Sequence, residues 1–231
     1  MVINPQSAFK QSNQPHYIFE GIVFDLGNVL QPYDPWRVVD NLATISGRSR
    51  WLIALYFRIS SRWRQFDAGR YSKEDFCRRV IGELRLRISV LQFEQAFADM
   101  FTLNRQLVAL LPELAKRYRL ILLSDNNPIH SAYCFGQHDF YALFEHKILS
   151  FEVGACKPSP LIYQRVFDLT GIPPSQLVFI DDRKRNIRGA VSAGMSAIHF
   201  GNEEDFIQFI RLQGWFDGLD HAKAGVAATG S

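Results

Sequence analysis

The sequence has few cysteines, little net charge and no long apolar run. Only three of its 231 residues are cysteines, and they form neither a CxxC pair nor a zinc-ligand spacing. An odd number of widely spaced cysteines argues against a disulfide framework, so we expect a reducing, cytoplasmic compartment. The formal net charge of +3 gives no reason to expect nucleic acid as a partner.

No apolar stretch approaches the roughly 18 residues that a membrane-spanning helix needs, so we expect no membrane partner. The first 17 residues are polar and contain no apolar region of the kind that signal peptides have. The last ten residues, AKAGVAATGS, are small and polar. We therefore predict flexible tails over residues 1–17 and 216–231.

The rest of the chain alternates apolar strands with amphipathic helices. Strands are predicted at 22–24, 119–124, 146–151, 177–182 and 195–200. Helices are predicted at 105–117, 160–170 and 186–194. This alternation is typical of a parallel sheet covered on both faces. We predict an α/β fold, a doubly wound parallel sheet of Rossmann-like type, with its core domain over residues 18–36 and 105–215.

The segment 37–104 has a helical pattern throughout and predicts an inserted all-α domain of about four helices. We expect its core to include a stripe of apolar residues at helical spacing, Trp51, Leu55, Ile59 and Trp63. Residues 47–87 also hold eleven Arg and Lys against four acidic residues, a local net charge of +7. This charge is typical either of a solvated helical face or of a positive lid that attracts an anionic substrate. We do not expect nucleic acid, because no recognised binding motif accompanies the charge.

Three of the predicted strands end in polar side chains. Asp25 follows the first strand, Ser124 ends another, and Asp181 and Asp182 end a third. In doubly wound sheets ligands bind beyond the carboxyl ends of the strands, so we expect these groups to share one crevice. Phosphoryl transfer through an aspartyl-phosphate needs a carboxylate nucleophile, a cation, phosphate-binding donors and a further carboxylate.

Each of these requirements has a candidate in the sequence. Asp25 can be the nucleophile, Ser124 can donate to a phosphate oxygen, and Lys157 can supply positive charge. Mg²⁺ prefers oxygen ligands and usually takes one or two carboxylates together with waters and phosphate oxygens. The candidate ligands for this cofactor are Asp25, the backbone carbonyl of Gly27, Asp182 and the neighbouring Asp181.

The same residues carry a family resemblance. FDLGNVL, LLSDNN, CKPSPLIY and VFIDDRKRN stand in the order and spacing of the four motifs of the haloacid dehalogenase superfamily. The resemblance extends over about residues 20–200, and the insertion at 37–104 resembles the helical cap domain of subclass I. DLGNV and the pattern Ser124, Asn127, His130 are most similar to sugar-1-phosphate phosphatases and the phosphatase domain of epoxide hydrolases.

The resemblance implies a Mg²⁺-dependent phosphatase that acts on a small anionic phosphorylated substrate, with a sugar phosphate as one example. It implies that Asp25 is the nucleophile and a metal ligand, that Lys157 is catalytic, and that Asp182 is the main distal metal ligand. Asn186 takes the place of a frequent aspartate in the fourth motif. Phosphate contacts are implied for Asn28, Ser124, Asp125, Asn127 and Lys157.

Two positions depart from the family pattern. Most phosphatases of the superfamily have a second aspartate two residues after the nucleophile, and it protonates the leaving group. Gly27 stands at that position, so we predict a preference for leaving groups that depart easily, unless Asp125, Asp34 or a cap residue supplies the proton. Asp125 itself stands where an asparagine often follows the serine of the second motif.

Two other functions are compatible with the same fold. A 2-haloacid dehalogenase uses the aspartate to attack carbon and needs no metal, and Gly27 and the pair Asp181–Asp182 argue against it. A non-catalytic binding protein is favoured by the two departures at Gly27 and Asp125. Neither the substrate nor the oligomeric state follows from the sequence.

Overall fold

The computed structural model describes residues 1–3 and 19–216 of the chain. The predicted tails therefore lie mostly outside the described residues. Within the described part, six parallel strands form one sheet: β1 Val2–Ile3, β2 Gly21–Phe24, β3 Arg119–Ser124, β4 His146–Leu149, β5 Leu177–Asp181 and β6 Ser196–His199. Their order across the sheet is β1-β6-β5-β2-β3-β4.

The five predicted strands are confirmed, and β1 is an addition. Val2 and Ile3 pair in parallel with Ala197 and Ile198 at the edge of the sheet, so the predicted tail is wrong for these two residues. Two residues are too short a segment for any apolar periodicity to show.

Helices surround this sheet and also fill the long insertion between β2 and β3. The insertion contains α1 Pro35–Ser46, α2 Arg50–Ile59, α3 Arg62–Asp67, α4 Lys73–Leu84 and α5 Val90–Ala98. The sheet is accompanied by α6 Arg105–Leu114, α7 Pro128–Gln137, α8 Ser150–Val153, α9 Pro160–Thr170, α10 Lys184–Ser192 and α11 Glu203–Leu212. None of the helices in the described residues is long and apolar enough to cross a bilayer.

The central strands are buried on both faces, as a doubly wound sheet requires. Side chains alternate along a strand, so Phe24 and Ile180 pack into one apolar cluster. Val23 and Phe179 pack into a second cluster on the opposite face. This arrangement confirms the α/β class and the parallel sheet, and it brings the ends of β2, β3 and β5 side by side.

The helical insertion has five helices, one more than predicted, and an apolar core of its own. The predicted apolar stripe is wrong for three of its four residues, because Trp51 is 67% exposed, Leu55 44% and Ile59 71%, whereas Trp63 packs against the core of the insertion. Helix α2 buries Ile53 instead. Its sequence, RWLIALYFRI, has apolar residues on all sides, so spacing alone does not select the buried face.

The insertion leaves and rejoins the chain through two adjacent segments. Tyr33 and Phe101 form an isolated antiparallel bridge. The backbone N–H of Asp34 donates to the carbonyl of Met100 at 2.9 Å. These contacts hold the insertion directly above the carboxyl ends of the strands.

Candidate active site

A cavity of about 690 Å³ opens at the carboxyl edge of the sheet. The N–H of Asp25 donates to the carbonyl of Ile180 at 2.9 Å, which keeps the end of β2 in register with the end of β5. The cavity is lined by residues from three strand ends and by residues of the insertion. From the strand ends come Asp25, Gly27, Ser124, Asp125 and Asp182, and Lys157 comes from the loop that follows α8.

Lys157 is the central cation of this group. Its Nζ lies 2.7 Å from Asp25 Oδ1 and 2.8 Å from Asp181 Oδ2, and it also donates to the carbonyl of Leu123 at 3.0 Å. The side chain is 1% exposed. Burial alone would lower the pKa of Lys157, but the carboxylates of Asp181, Asp25 and Asp125 together raise it. Lys157 is therefore a permanent positive charge between two buried carboxylates.

The two adjacent aspartates at the end of β5 differ in how their oxygens are used. Asp181 is fully buried and accepts hydrogen bonds from the Arg183 N–H at 2.7 Å, from Asn186 Nδ2 and from Lys157. Burial opposes ionisation, but Lys157 and these donors lower the pKa of Asp181. Asp182 is 21% exposed and accepts from Asn28 Nδ2 at 2.9 Å. Asp182 is the more open of the two candidate ligands, and its role as the main distal metal ligand stays a prediction.

The oxygens at this edge fit a hard divalent cation. One ligand atom each from Asp25, Asp181 and Asp182 lie within 4.8 Å of one another. Asn186 Oδ1 is buried at the same place and has no hydrogen-bond partner among the described residues. Burial raises the pKa of Asp25 against the opposing effect of Lys157, so a cation beside it would favour the ionised form. An all-oxygen set with two buried carboxylates and the more open Asp182 suits Mg²⁺.

Ser124 and Asp125 both line the cavity at the end of β3. The Ser124 hydroxyl is buried. Among the described residues it donates only a long hydrogen bond of 3.5 Å, to the carbonyl of Asp125, so it remains available to a ligand. Asp125 Oδ1 accepts from the N–H of Lys157 at 2.8 Å. Burial raises the pKa of Asp125, while Lys157 opposes this change. Asp125 thus fixes the loop that carries Lys157.

Asn28 and Asn127 are hydrogen-bonded to carboxylates beside the cavity, and their phosphate contacts stay predictions. Asn28 has a left-handed backbone, with φ of 59°, and directs its amide to Asp182. Asn127 caps α7, because its Oδ1 accepts from the N–H of His130 at 3.1 Å. Its Nδ2 donates to Asp67 Oδ1 at 2.8 Å. Both amides therefore orient carboxylates.

Gly27 has a packing reason for lacking a side chain. A Cβ at this position would lie 2.9 Å from Cε1 of Tyr33, which is closer than side chains approach. The Tyr33 ring is fixed by its hydroxyl, which accepts from Arg183 Nη2 at 2.6 Å. Asp34, a candidate substitute for the missing carboxylate, instead caps α1 by accepting from the N–H of Trp36.

The sequence pattern did not identify Asp67, a carboxylate of the insertion that faces the cavity. Burial raises the pKa of Asp67 to about 7, and its Oδ1 accepts the hydrogen bond from Asn127. The only local signal was the break DAGR after α3, which also resembles an ordinary helix end.

Comparisons with known proteins agree with this geometry. The family described as haloacid dehalogenase-like hydrolase matches residues 6–194. A D-ribitol-5-phosphate phosphatase of Bacteroides thetaiotaomicron is 24% identical over 200 residues, covering 83% of this chain and 91% of that protein. A sesquiterpene phosphatase of Aspergillus oryzae, astK, is 23% identical over 184 residues, covering 78% and 89%.

Among solved structures, a haloacid dehalogenase family enzyme of Bacteroides thetaiotaomicron in complex with magnesium and inorganic phosphate is similar to this chain. It superposes with a TM-score of 0.73 at 25% identity, covering 79% of this chain and 94% of that one.

Proposed function

The chain belongs to the haloacid dehalogenase-like hydrolase family, and we propose that it is a Mg²⁺-dependent phosphatase that hydrolyses a small phosphate monoester. The observation that carries the proposal is the meeting of Asp25, Lys157 and Asp182 at one wall of a cavity large enough for an organic phosphate. Two relatives named as phosphatases and a similar structure that contains magnesium and phosphate support it.

In the first step, a carboxylate oxygen of Asp25 attacks phosphorus in line with the ester oxygen. The bond from phosphorus to the ester oxygen breaks, and the alcohol leaves with its electron pair. Lys157, 2.7 Å from Asp25 Oδ1, orients the nucleophile and balances the charge of the incoming phosphate. The available hydroxyl of Ser124 donates to a phosphate oxygen.

In the second step, a water molecule attacks phosphorus of the aspartyl-phosphate. Inorganic phosphate leaves, and the Asp25 carboxylate is regenerated. Both steps take place beneath the helical insertion, which limits access of bulk water to the cavity.

Mg²⁺ would be held by Asp25, Asp182 and the carbonyl of Gly27, and it would supply neutralisation of the phosphate charge. Asp181 and Asn186 lie beside these ligands and shape the site. The position of Asp182 is held by the amide of Asn28.

We further propose that residues 37–104 act as a cap domain over a core of residues 18–36 and 105–215. The insertion contributes Phe57, Trp63 and Asp67 to the cavity lining, while its own apolar core is separate from those of the sheet. This division places the chemistry on the sheet and leaving-group contacts on the insertion.

Phosphate release from 4-nitrophenyl phosphate tests the proposal directly. We expect activity with Mg²⁺, none in excess EDTA, and none in Asp25→Asn, because an amide cannot form the acyl phosphate. Asp168→Asn is the matched control, since Asp168 is exposed on α9 and bonded only to Gln164. Normal hydrolysis by Asp25→Asn, or halide release from 2-chloropropionate without metal, would refute the proposal.

A further inference from the structure

The cavity is also lined by a row of aromatic side chains. Ring centroids lie 6.3 Å apart between Tyr33 and Phe101, 5.2 Å between Phe101 and His130, 5.6 Å between His130 and Trp63, and 5.3 Å between Trp63 and Phe57. All five side chains line the cavity, and we call them the aromatic wall. The wall joins a core loop, the insertion and the start of α7 into one surface.

His130 contributes to this wall as a neutral ring. Burial lowers its pKa to about 4, so it carries no charge near neutral pH. Its Nε2 lies 2.9 Å from the carbonyl of Phe97, an acceptor, and therefore carries the ring proton. Its Nδ1 accepts from Asn127 Nδ2 at 3.0 Å. Both ring nitrogens are thus satisfied within the protein and do not require a polar substrate.

The wall continues in apolar side chains. Val39 and Met100 are buried beside it, and Ala54 adds a further apolar contact from α2. The Tyr33 hydroxyl is already hydrogen-bonded to Arg183. A substrate hydroxyl placed against the rings themselves would lose hydrogen bonds to water, whereas apolar area buried there is favourable.

The volume also exceeds what a phosphate alone requires. At about 690 Å³ the cavity lies in the range of pockets that enclose drug-sized organic ligands. We propose that this site, taken as the phosphatase described above, acts on phosphate monoesters of a bulky apolar alcohol, whose alkyl or aromatic group lies on the aromatic wall.

A series of straight-chain alkyl phosphates tests this substrate class, because chain length changes while the alcohol pKa stays nearly constant. We expect kcat/KM to rise by about three- to fourfold for each added methylene until the cavity is full. Glycerol and pentitol phosphates should be poorer substrates than butyl and pentyl phosphates. Equal or faster hydrolysis of the polyol phosphates would overturn the proposal. Hydrolysis of 4-nitrophenyl phosphate in the same preparation separates this failure from failure of the phosphatase assignment.

Two variants on one helix locate the preference. Phe57→Ser should lower the ratio of octyl to ethyl phosphate kcat/KM by at least about tenfold, because it removes a ring from the wall. Leu55→Ser is the matched control, since Leu55 is 44% exposed on α2 and does not line the cavity. An unchanged ratio in Phe57→Ser with activity retained, or an equal change in Leu55→Ser, would contradict the proposal.

A second inference rests on a different observation, the fixed position of Asp67. The Ser150 hydroxyl donates to the carbonyl of Asp67 at 2.5 Å, and Gly69 packs so closely that a Cβ would lie 2.2 Å from the carbonyl oxygen of Phe151. Asn127 Nδ2 holds Oδ1 at 2.8 Å. No described group is hydrogen-bonded to the other carboxyl oxygen, Oδ2. The cavity is therefore lined by a carboxyl group that is held in a fixed position and has one oxygen, Oδ2, without a hydrogen bond from any described residue.

From this geometry we infer that Asp67 is the acid that takes the role vacated at Gly27. As Asp25 bonds to phosphorus, the ester P–O bond breaks, and the proton on the Asp67 carboxyl passes to the departing alcohol oxygen. The resulting Asp67 carboxylate accepts a proton from the water that attacks the aspartyl-phosphate. With this acid present, simple alkyl alcohols can leave. Gly27 alone had predicted a preference for leaving groups that depart easily.

Asp67→Asn tests this role, because the amide keeps the oxygen that accepts from Asn127 but has no acidic proton. Alkyl phosphate turnover should fall by about 10²- to 10⁴-fold, while 4-nitrophenyl phosphate, whose leaving group needs little help, should lose less than about threefold. An equal loss of turnover on both substrates would mean that Asp67 only holds the insertion against the sheet, which would overturn the inference. An unchanged turnover of alkyl phosphates would overturn it as well.

The pH profile is a second readout. Burial and Asp125 raise the pKa of Asp67 to about 7, with Asn127 and Arg183 opposing, and the Cys156 thiol is the other titratable group facing it. The acid form is present below that pH, so alkyl phosphate hydrolysis should decline as the pH rises above 7. The decline should be absent in Asp67→Asn.

Discussion

The carboxyl edge of the sheet and the aromatic wall line one cavity and differ in charge. At the sheet edge, Lys157 is buried between Asp25 and Asp181, and each charge has a partner. At the wall, burial lowers the pKa of His130 to about 4, so this ring is neutral near pH 7. We therefore expect that variants at the sheet edge change turnover of every substrate, whereas variants at the rings change the preference among leaving groups.

The largest effect should come from removing the cation at the sheet edge. Lys157→Ala should reduce turnover of every phosphate substrate by about 10²-fold or more, because it removes the charge that orients Asp25 and balances phosphate. The ranking of alkyl and aryl substrates should stay the same. Steady-state kinetics over the substrate series measures both quantities.

Stability needs to be checked for the same variant. Breaking a buried ion pair by removing one partner typically costs about 3–5 kcal/mol, so thermal unfolding should show a lower midpoint. Lys116→Ala, which removes an exposed pair with Glu113, is the control and should change neither quantity measurably. If a folded Lys157→Ala variant lost less than about threefold in turnover, Lys157 would have no role in the chemical step.

A smaller effect is expected where the two sides of the cavity meet, at Gly27. Gly27→Asp should destabilise the protein by about 1–3 kcal/mol, because its Cβ would overlap the Tyr33 ring. It should not improve alkyl phosphate turnover if Asp67 already supplies the proton. Denaturant unfolding compares it with Gly27→Asp/Tyr33→Ala, in which the overlap is relieved and part of the stability should return. If Gly27→Asp alone were as stable as the parent protein, the Tyr33 ring would have to move aside freely, which would contradict this prediction.

The smallest effect concerns charge at the mouth of the cavity. Arg58 and Arg64 line it, are exposed, and form no ion pair with any described carboxylate, whereas Arg62 is paired with Glu83. Attraction of a phosphate by exposed charges is screened beyond about 10 Å at 0.1 M salt, so kcat/KM should fall a few-fold as salt rises. Arg58→Glu/Arg64→Glu should remove this dependence.

Arg48→Glu/Arg87→Glu changes the same amount of charge on the insertion, away from the cavity, and should leave the salt dependence in place. Salt-independent kinetics in the parent protein would mean that the basic residues of 47–87 form only a solvated face.

The strand ends were predictable from the sequence because polarity changes abruptly there. Asp25, Ser124 and Asp182 each follow a continuous apolar run, and parallel strands bring such ends to one edge. The strands β2 to β6 were predictable for the same reason. The hydrogen bonds of Asn28 to Asp182 and of Asn127 to Asp67 were not predictable, because an amide near a phosphate site has the same local sequence whether it contacts a ligand or orients a neighbouring carboxylate.

The insertion was predictable only as a helical segment. Its packing depends on which face of each helix meets the others, and α2 is apolar on every face. The burial of Ile53 rather than Trp51 or Ile59 is a tertiary result. The position of Asp67 could not be predicted either, because it depends on a hydrogen bond with Asn127, sixty residues away along the chain.

The central claim is that Asp25 becomes phosphorylated during turnover, and trapping that intermediate tests it most directly. The protein is mixed with Mg²⁺ and excess 4-nitrophenyl phosphate, quenched in acid within the first turnovers, digested and analysed by peptide mass spectrometry. We expect one phosphoryl group on the peptide that contains Asp25, and after borohydride reduction a homoserine at that position. A phosphoryl group on any other residue would contradict the claim. So would rapid phosphate release from protein in which, at every quench time, Asp25 carries no phosphoryl group and is not converted to homoserine by borohydride.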